Sequence, residues 1–70
     1  MLTIKKLLYI VLPESEVTLV DMNEKVIVQG LLKVIMNDIW TKIESNIEVN
    51  SISSWYNNDG NTSLKIQLVT

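Results

Sequence analysis

The residues best suited to recognise a ligand lie together in the last third of the chain. Trp55 and Tyr56 precede the run Asn57-Asn58-Asp59-Gly60-Asn61, and Lys65 follows four residues after that run. Aromatic rings stack on nucleobases, asparagine amides bond to base edges, and a lysine ammonium attracts phosphate. The candidate residues for binding a nucleotide are therefore Trp55, Tyr56, Asn57, Asn58 and Lys65. The alternative, which composition favours, is that the aromatic residues pack in the core or in an interface and that the polar run is only a hairpin turn.

Trp40 is the candidate interface residue. It lies beside Ile39, Ile43 and Ile47, which recur at helical spacing. Tryptophan is enriched at the centres of protein interfaces, whereas a small domain with few large side chains also uses it in the core. The sequence leaves both roles open and favours the core.

Missing residue types exclude much of enzyme chemistry. The chain has no cysteine, no histidine and no arginine, which excludes thiol nucleophiles, thiolate metal sites and bidentate phosphate clamps. The acidic residues near the first hairpin match no calcium loop and are typical of a solvated turn: Glu14, Glu16, Asp21 and Glu24. We therefore expect no catalytic residue, no metal and no cofactor, and we predict that the protein is not an enzyme.

Length and charge define the class of protein. Seventy residues make a single domain, 1–70, with 47% hydrophobic and 20% charged residues. Six lysines against eight acidic residues give a net charge of −2, which disfavours binding to duplex DNA. An apolar surplus on so small a chain predicts a homo-oligomer. The apolar stretch 7–12 ends at Pro13 and is shorter than the roughly 20 residues of a membrane span, so a cytoplasmic location is expected.

The first element predicted is a helix over residues 4–12 with Thr3 as its N-cap and Pro13 as its stop. Its buried stripe leaves Lys5, Lys6 and Tyr9 on the other side. Two lysines in a first helical turn oppose the helix dipole. They indicate either an acidic partner or merely solvated side chains, the simpler interpretation.

The remaining elements give the order α-β-β-α-β-β. Alternation and turn residues predict strands over 17–22, 25–29, 49–56 and 64–68, with Gly30 at the exit of the first hairpin. The second helix is predicted over 38–46, or from near Leu31 if the apolar run before it forms the first turn. We expect an α+β domain with an antiparallel sheet and both helices packed on one face.

Several segments resemble small phage and prophage proteins of low-GC Gram-positive bacteria. The segments that carry the resemblance are Leu2-Thr3-Ile4-Lys5-Lys6-Leu7-Leu8, Leu12-Pro13-Glu14, Val17-Thr18-Leu19-Val20-Asp21, Gly30, Val49-Asn50-Ser51-Ile52 and Leu64-Lys65-Ile66-Gln67-Leu68. The resemblance covers most of the chain outside residues 31–48, and it transfers no functional residue. It implies a non-catalytic protein that sequesters a host protein or a nucleotide signal inside the bacterial host cell. A structural or assembly role based on self-association is the alternative.

Overall fold

Two helices and four strands follow one another in the predicted order. A computed structural model describes residues 1–56, 60 and 62–70. The elements are α1 (Ile4–Ile10), β1 (Glu16–Val20), β2 (Val26–Leu31), α2 (Leu32–Lys42), β3 (Val49–Tyr56) and β4 (Thr62–Leu68). The α+β class and the element order are confirmed. Thr3 caps α1 as expected, its hydroxyl accepting the Lys6 N–H at 3.4 Å.

The sheet is mixed, with the strand order β2-β1-β4-β3. The hairpin pairs β1–β2 and β3–β4 are antiparallel, but the central pair β1–β4 is parallel. The expectation of an antiparallel sheet is therefore wrong for its centre. The physical reason is α2, which returns the chain to the end of the sheet where β2 began. Strand β3 then runs in the direction of β2, and β4 in the direction of β1.

Both helices cover the same face of the sheet. Alternate residues of β1, Val17 and Leu19, belong to one buried cluster with alternate residues of β4, Ile66 and Leu68. The other members come from α1, β2 and α2: Ile4, Leu7, Leu8, Val28, Leu32, Ile35 and Ile39. The prediction that the helices pack on one face is confirmed, and the opposite face of the sheet carries no helix among the described residues.

Strand β2 runs into α2 without an intervening loop, so the second helix starts at Leu32 and ends at Lys42. The predicted span 38–46 is wrong, and the alternative of an earlier start is confirmed. Leu32 and Ile35 continue the buried stripe of Ile39 back towards the strand, and this burial fixes the start of the helix. Gly30 has φ +152°, and a Cβ built on it would lie 2.7 Å from Cγ2 of Ile35. The glycine therefore lets the first turn of α2 fold over the strand.

The N-terminal residues lie along the start of β3. The Ile4 N–H donates to the Ile47 carbonyl at 2.8 Å, and the Val49 N–H donates to the Leu2 carbonyl at 2.8 Å. Thr3 forms an antiparallel bridge with Glu48. This short pairing covers the outer edge of β3 at its first residue.

Candidate functional site

The strand predicted to recognise a ligand, β3, is the outermost strand on its side of the sheet. Every residue from Asn50 to Tyr56 is exposed. Ile52 is 44% exposed, Trp55 48% and Tyr56 80%. An edge strand presents backbone N–H and C=O groups in addition to its side chains. The strand therefore exposes both backbone groups and side chains at this edge of the sheet.

Trp55 and Tyr56 lie on opposite faces of the sheet. Trp55 is in register with Ser63, next to the pair Ser53 and Lys65, which places Trp55 and Lys65 on the helix-free face. Tyr56 is instead on the face that bears the helices, because successive strand residues alternate. The structure thus brings Trp55 and Lys65 together but does not gather both aromatic rings around one ligand. Asn57 and Asn58, the other predicted ligand-binding residues, lie outside the described part of the chain.

Lys65 belongs to a polar network centred on Gln67. Lys65 Nζ lies 2.6 Å from Glu24 Oε2, and Gln67 Nε2 donates to Glu24 Oε1 at 3.3 Å. On its other side, Gln67 Oε1 accepts from Asn50 Nδ2 at 2.7 Å and from Ser51 Oγ at 3.4 Å. The network links the turn after β1 to β4 and β3. Because the ammonium already has a carboxylate partner, its attraction for a phosphate is reduced.

Trp40 lies at the border of the core. It is 37% exposed, whereas its neighbour Ile39 is completely buried. The ring is therefore neither a central core residue nor a freely projecting anchor. Its role in an interface stays a prediction.

A second surface lies on the outer side of α1 and in the residues just after it. Tyr9 is 89% exposed, Ile10 76% and Leu12 71%, and Lys5 and Lys6 are exposed beside them. We call these five residues the α1 patch. Sequence reasoning placed Lys5, Lys6 and Tyr9 away from the core but missed the patch. The available signal was that Ile10 and Leu12 are apolar although they lie off the buried stripe.

Two clefts lie away from Trp55 and Lys65. One, of about 440 Å³, borders the α1 patch and is lined by Thr3, Lys5, Lys6, Tyr9, Ser45 and Asn46. Another, of about 580 Å³, lies between the turn after β1 and the end of α2, where its lining includes Asp21, Ile27 and Lys42. Neither cleft contains a residue predicted to bind a ligand.

The acidic residue Asp21 has a structural role in the turn after β1. Its Oδ1 accepts the N–H groups of Asn23 at 2.8 Å and Lys25 at 2.9 Å, and Glu24 adopts φ 65° in the same turn. Within residues 1–56, 60 and 62–70, no three acidic residues are grouped in a way that would hold a metal ion. No helix in this part of the chain is long and apolar enough to cross a membrane.

Comparison with known proteins found no similarity. The chain matches no protein-family model, no curated protein and no solved structure. The geometry of its own residues is the basis for assigning a function.

Proposed function

We propose that the protein is a small non-catalytic binding protein that captures a protein partner through the α1 patch. The observation that carries this proposal is the exposure of Tyr9, Ile10 and Leu12, at 71–89%, beside two lysines. Helical spacing places Tyr9 and Ile10 on the same side of α1 as Lys5 and Lys6, and Leu12 follows two residues after Ile10. Clustered exposed apolar residues mark interaction sites more often than scattered ones do. The partner that fits has an apolar surface with acidic residues at its border.

The charge of the patch supports an acidic partner. Lys5 and Lys6 form no ion pair with a carboxylate among the described residues, where the single salt bridge joins Lys65 to Glu24. Lys5 and Lys6 therefore make this part of the surface positive, although the chain has a net charge of −2. Charged residues at the border of an apolar surface raise the association rate and orient the partner. Tyr9 would then supply the buried contact, since tyrosine is enriched in interfaces.

The biological setting is part of the proposal. The resemblance to small phage proteins supports a host factor as the partner and the cytoplasm of a bacterial host as the location. Self-association is compatible with partner capture, because the exposed apolar side chains on β3 lie outside the α1 patch. An assembly protein whose role is self-association is the alternative, and the exposed edge of β3 favours it.

A nucleotide ligand is the second candidate. The cleft of about 440 Å³ beside the patch combines Lys5, Lys6 and Tyr9 with the amide of Asn46, a set that suits phosphate and a base. It ranks second because Tyr9 is 89% exposed, so that the ring would contact a base on one side only.

The test is affinity capture from a bacterial lysate with matched variants. The double variant Tyr9→Ser/Leu12→Ser removes the apolar groups, and Lys5→Glu/Lys6→Glu reverses the charge. Val34→Ser is the control, since Val34 is an equally superficial apolar residue of α2, 68% exposed. We expect one partner to be captured by the unaltered protein and by the control, and at least tenfold less by either patch variant. Equal capture by the patch variants would contradict the proposal, and a bound mass of a few hundred daltons in native mass spectrometry would favour the nucleotide.

A further inference from the structure

We infer that a second copy of this chain pairs with the outer edge of β3, antiparallel and about a two-fold axis. The pairing joins the two four-stranded sheets into one continuous sheet. This inference goes beyond the proposed function. It does not depend on the α1 patch, because it concerns the backbone and side chains of β3.

The edge of β3 is open along most of its length. Leu2 occupies its outer side at Val49, and none of the described residues pairs with the outer side from Asn50 to Tyr56. The strand contains no charged residue and no proline. Lysine, proline, bulges and covering loops are the devices by which proteins keep edge strands from pairing. From Asn50 to Tyr56, β3 contains neither lysine nor proline.

The opposite edge of the sheet is protected. Lys42 Nζ donates to the Ile27 carbonyl at 3.5 Å, placing an ammonium against the outer strand β2. The β1–β2 ladder is also irregular at this point, between Leu19 and Val20. Both features hinder the addition of a strand.

The β3–β4 ladder has a similar register shift, but it lies at the start of β3, between Val49 and Ser51. The stretch from Ile52 to Tyr56 is regular and carries no charge, so β3 is the edge better suited to a partner strand.

A second copy fits this edge better than an unrelated strand would, because two β3 edges are complementary in shape and charge. A pairing centred on Ser54 places Ile52 opposite Tyr56 of the second copy, and Ser53 opposite its Trp55. Each bulky ring then faces a smaller side chain, and the Ile–Tyr pair occurs twice. Cross-strand pairs of a β-branched and an aromatic residue stabilise sheets. Because β3 carries no charged side chain, the pairing places no like charges opposite each other.

The N-terminal segment limits the possible registers. Leu2 and Thr3 lie along residues 47–49 on the outer side of β3. A full-length pairing centred on Ile52 would drive the second copy into that segment, whereas centring on Ser54 uses only the open stretch. The paired stretch, from Ile52 to Tyr56, then spans about 17 Å for five residues.

The expected affinity is moderate. The side chains available for burial are Ile52, Trp55 and Tyr56, which are 44%, 48% and 80% exposed. An edge pairing with three such residues per copy lies at the small end of specific interfaces. We therefore expect a dissociation constant of about 1–100 μM and a concentration-dependent dimer.

Cysteine scanning tests the register, because the chain contains no cysteine of its own. Only a residue on the two-fold axis approaches its own copy closely enough for a disulfide, whose Cα atoms lie within about 7 Å. Under mild oxidation Ser54→Cys should give a covalent dimer. Ser51→Cys should not, since the two copies of Ser51 would lie about 20 Å apart along the strands. Cross-linking of Ser51→Cys or Ser53→Cys in preference to Ser54→Cys would overturn this register.

Sedimentation velocity tests the dimer itself. The unaltered protein should shift from monomer to dimer over about 1–500 μM, and Ser53→Lys, which places a charge on the edge strand, should remain a monomer. Val34→Lys, with its charge on α2, should dimerise like the unaltered protein. Circular dichroism confirms that each variant is folded. A monomer at every concentration, or a Ser53→Lys dimer as strong as the original, would refute the inference and leave partner capture by the α1 patch unaffected.

Discussion

Replacing Gly30 with alanine tests how the sheet is joined to its second helix. Gly30 adopts φ +152°, and an added Cβ would lie 2.7 Å from Cγ2 of Ile35. Carbon atoms in favourable contact are about 3.5–4.0 Å apart, so one of the two groups must move by about 0.8 Å or more. Ile35 is 6% exposed and packed in the core, which leaves it little room.

The cost has two sources. A non-glycine residue held at such a φ costs about 1–2 kcal/mol, and crowding in a packed core costs about 1–3 kcal/mol. We expect Gly30→Ala to lower the free energy of unfolding by about 3 kcal/mol. A chain of 70 residues holds about 4–10 kcal/mol in total. At about 4–8 °C for each kcal/mol in a domain of this size, the Tm should fall by about 12–24 °C.

Urea unfolding followed by tryptophan fluorescence and circular dichroism measures the cost. Gly60→Ala is the matched control, because Gly60 also has a positive φ, +81°, but among the described residues no atom lies within 4 Å of its added Cβ. The control carries the backbone strain without the clash and should lose about 1 kcal/mol. If the two variants lose the same stability, the contact with Ile35 does not constrain Gly30, and the account of the β2–α2 junction is wrong.

Three further changes test the core, the polar network and the turn. Ile39→Ala should lower the free energy of unfolding by about 2–5 kcal/mol, because Ile39 is completely buried. Val34→Ala, on the exposed side of α2, should change it by less than about 0.5 kcal/mol. Chemical denaturation measures both changes. Lys65→Met should cost less than about 1 kcal/mol, since its pair with Glu24 is 41% and 56% exposed, and a loss above about 2 kcal/mol would show that the network is a main source of stability. Asp21→Ala should lower the free energy of unfolding by about 1 kcal/mol, because it removes the acceptor of two backbone N–H groups. Asp21→Asn keeps an acceptor oxygen and should retain most of the stability. Equal losses for the two variants in thermal denaturation would show that these hydrogen bonds do not stabilise the turn.

The fold was predictable where local rules act alone. Thr3 before an apolar stripe predicted α1, and alternation predicted β3 over the residues it occupies. The start of α2 was harder, because residues 31–36 are almost uniformly apolar and lack a clear period. In this segment the helix starts at Leu32, where the side chain of Ile35 packs close to Gly30, and such a tertiary contact is not visible in the local sequence. The parallel centre of the sheet was missed because strand direction depends on the path of a connection and not on the composition of a strand.

The candidate surfaces were predictable to a smaller extent. Residue types drew attention to Trp55 and Tyr56, which are exposed, and a strand over both residues already places their rings on opposite faces. Which of the two faces bears the helices follows from the register with β4. Glu24 lies far from Lys65 in sequence, and no local pattern indicates their ion pair. The α1 patch was missed because an apolar residue near a helix end is expected to be buried. Exposure is a property of the packed chain, and it is visible only once the neighbours of Ile10 and Leu12 are placed.

The parallel pairing of β1 with β4 has a consequence for how the chain folds. Each hairpin closes a short loop, whereas the β1–β4 pairing, which we call the seam, joins Val17 to Leu64. Closing the long loop between these two residues carries a larger entropic cost. Contacts between residues distant in sequence slow folding. The two hairpins are therefore expected to form early and the seam last, so that most of the core exists only after the two ends of the chain have met. Folding becomes an all-or-none event in which neither half holds its shape alone.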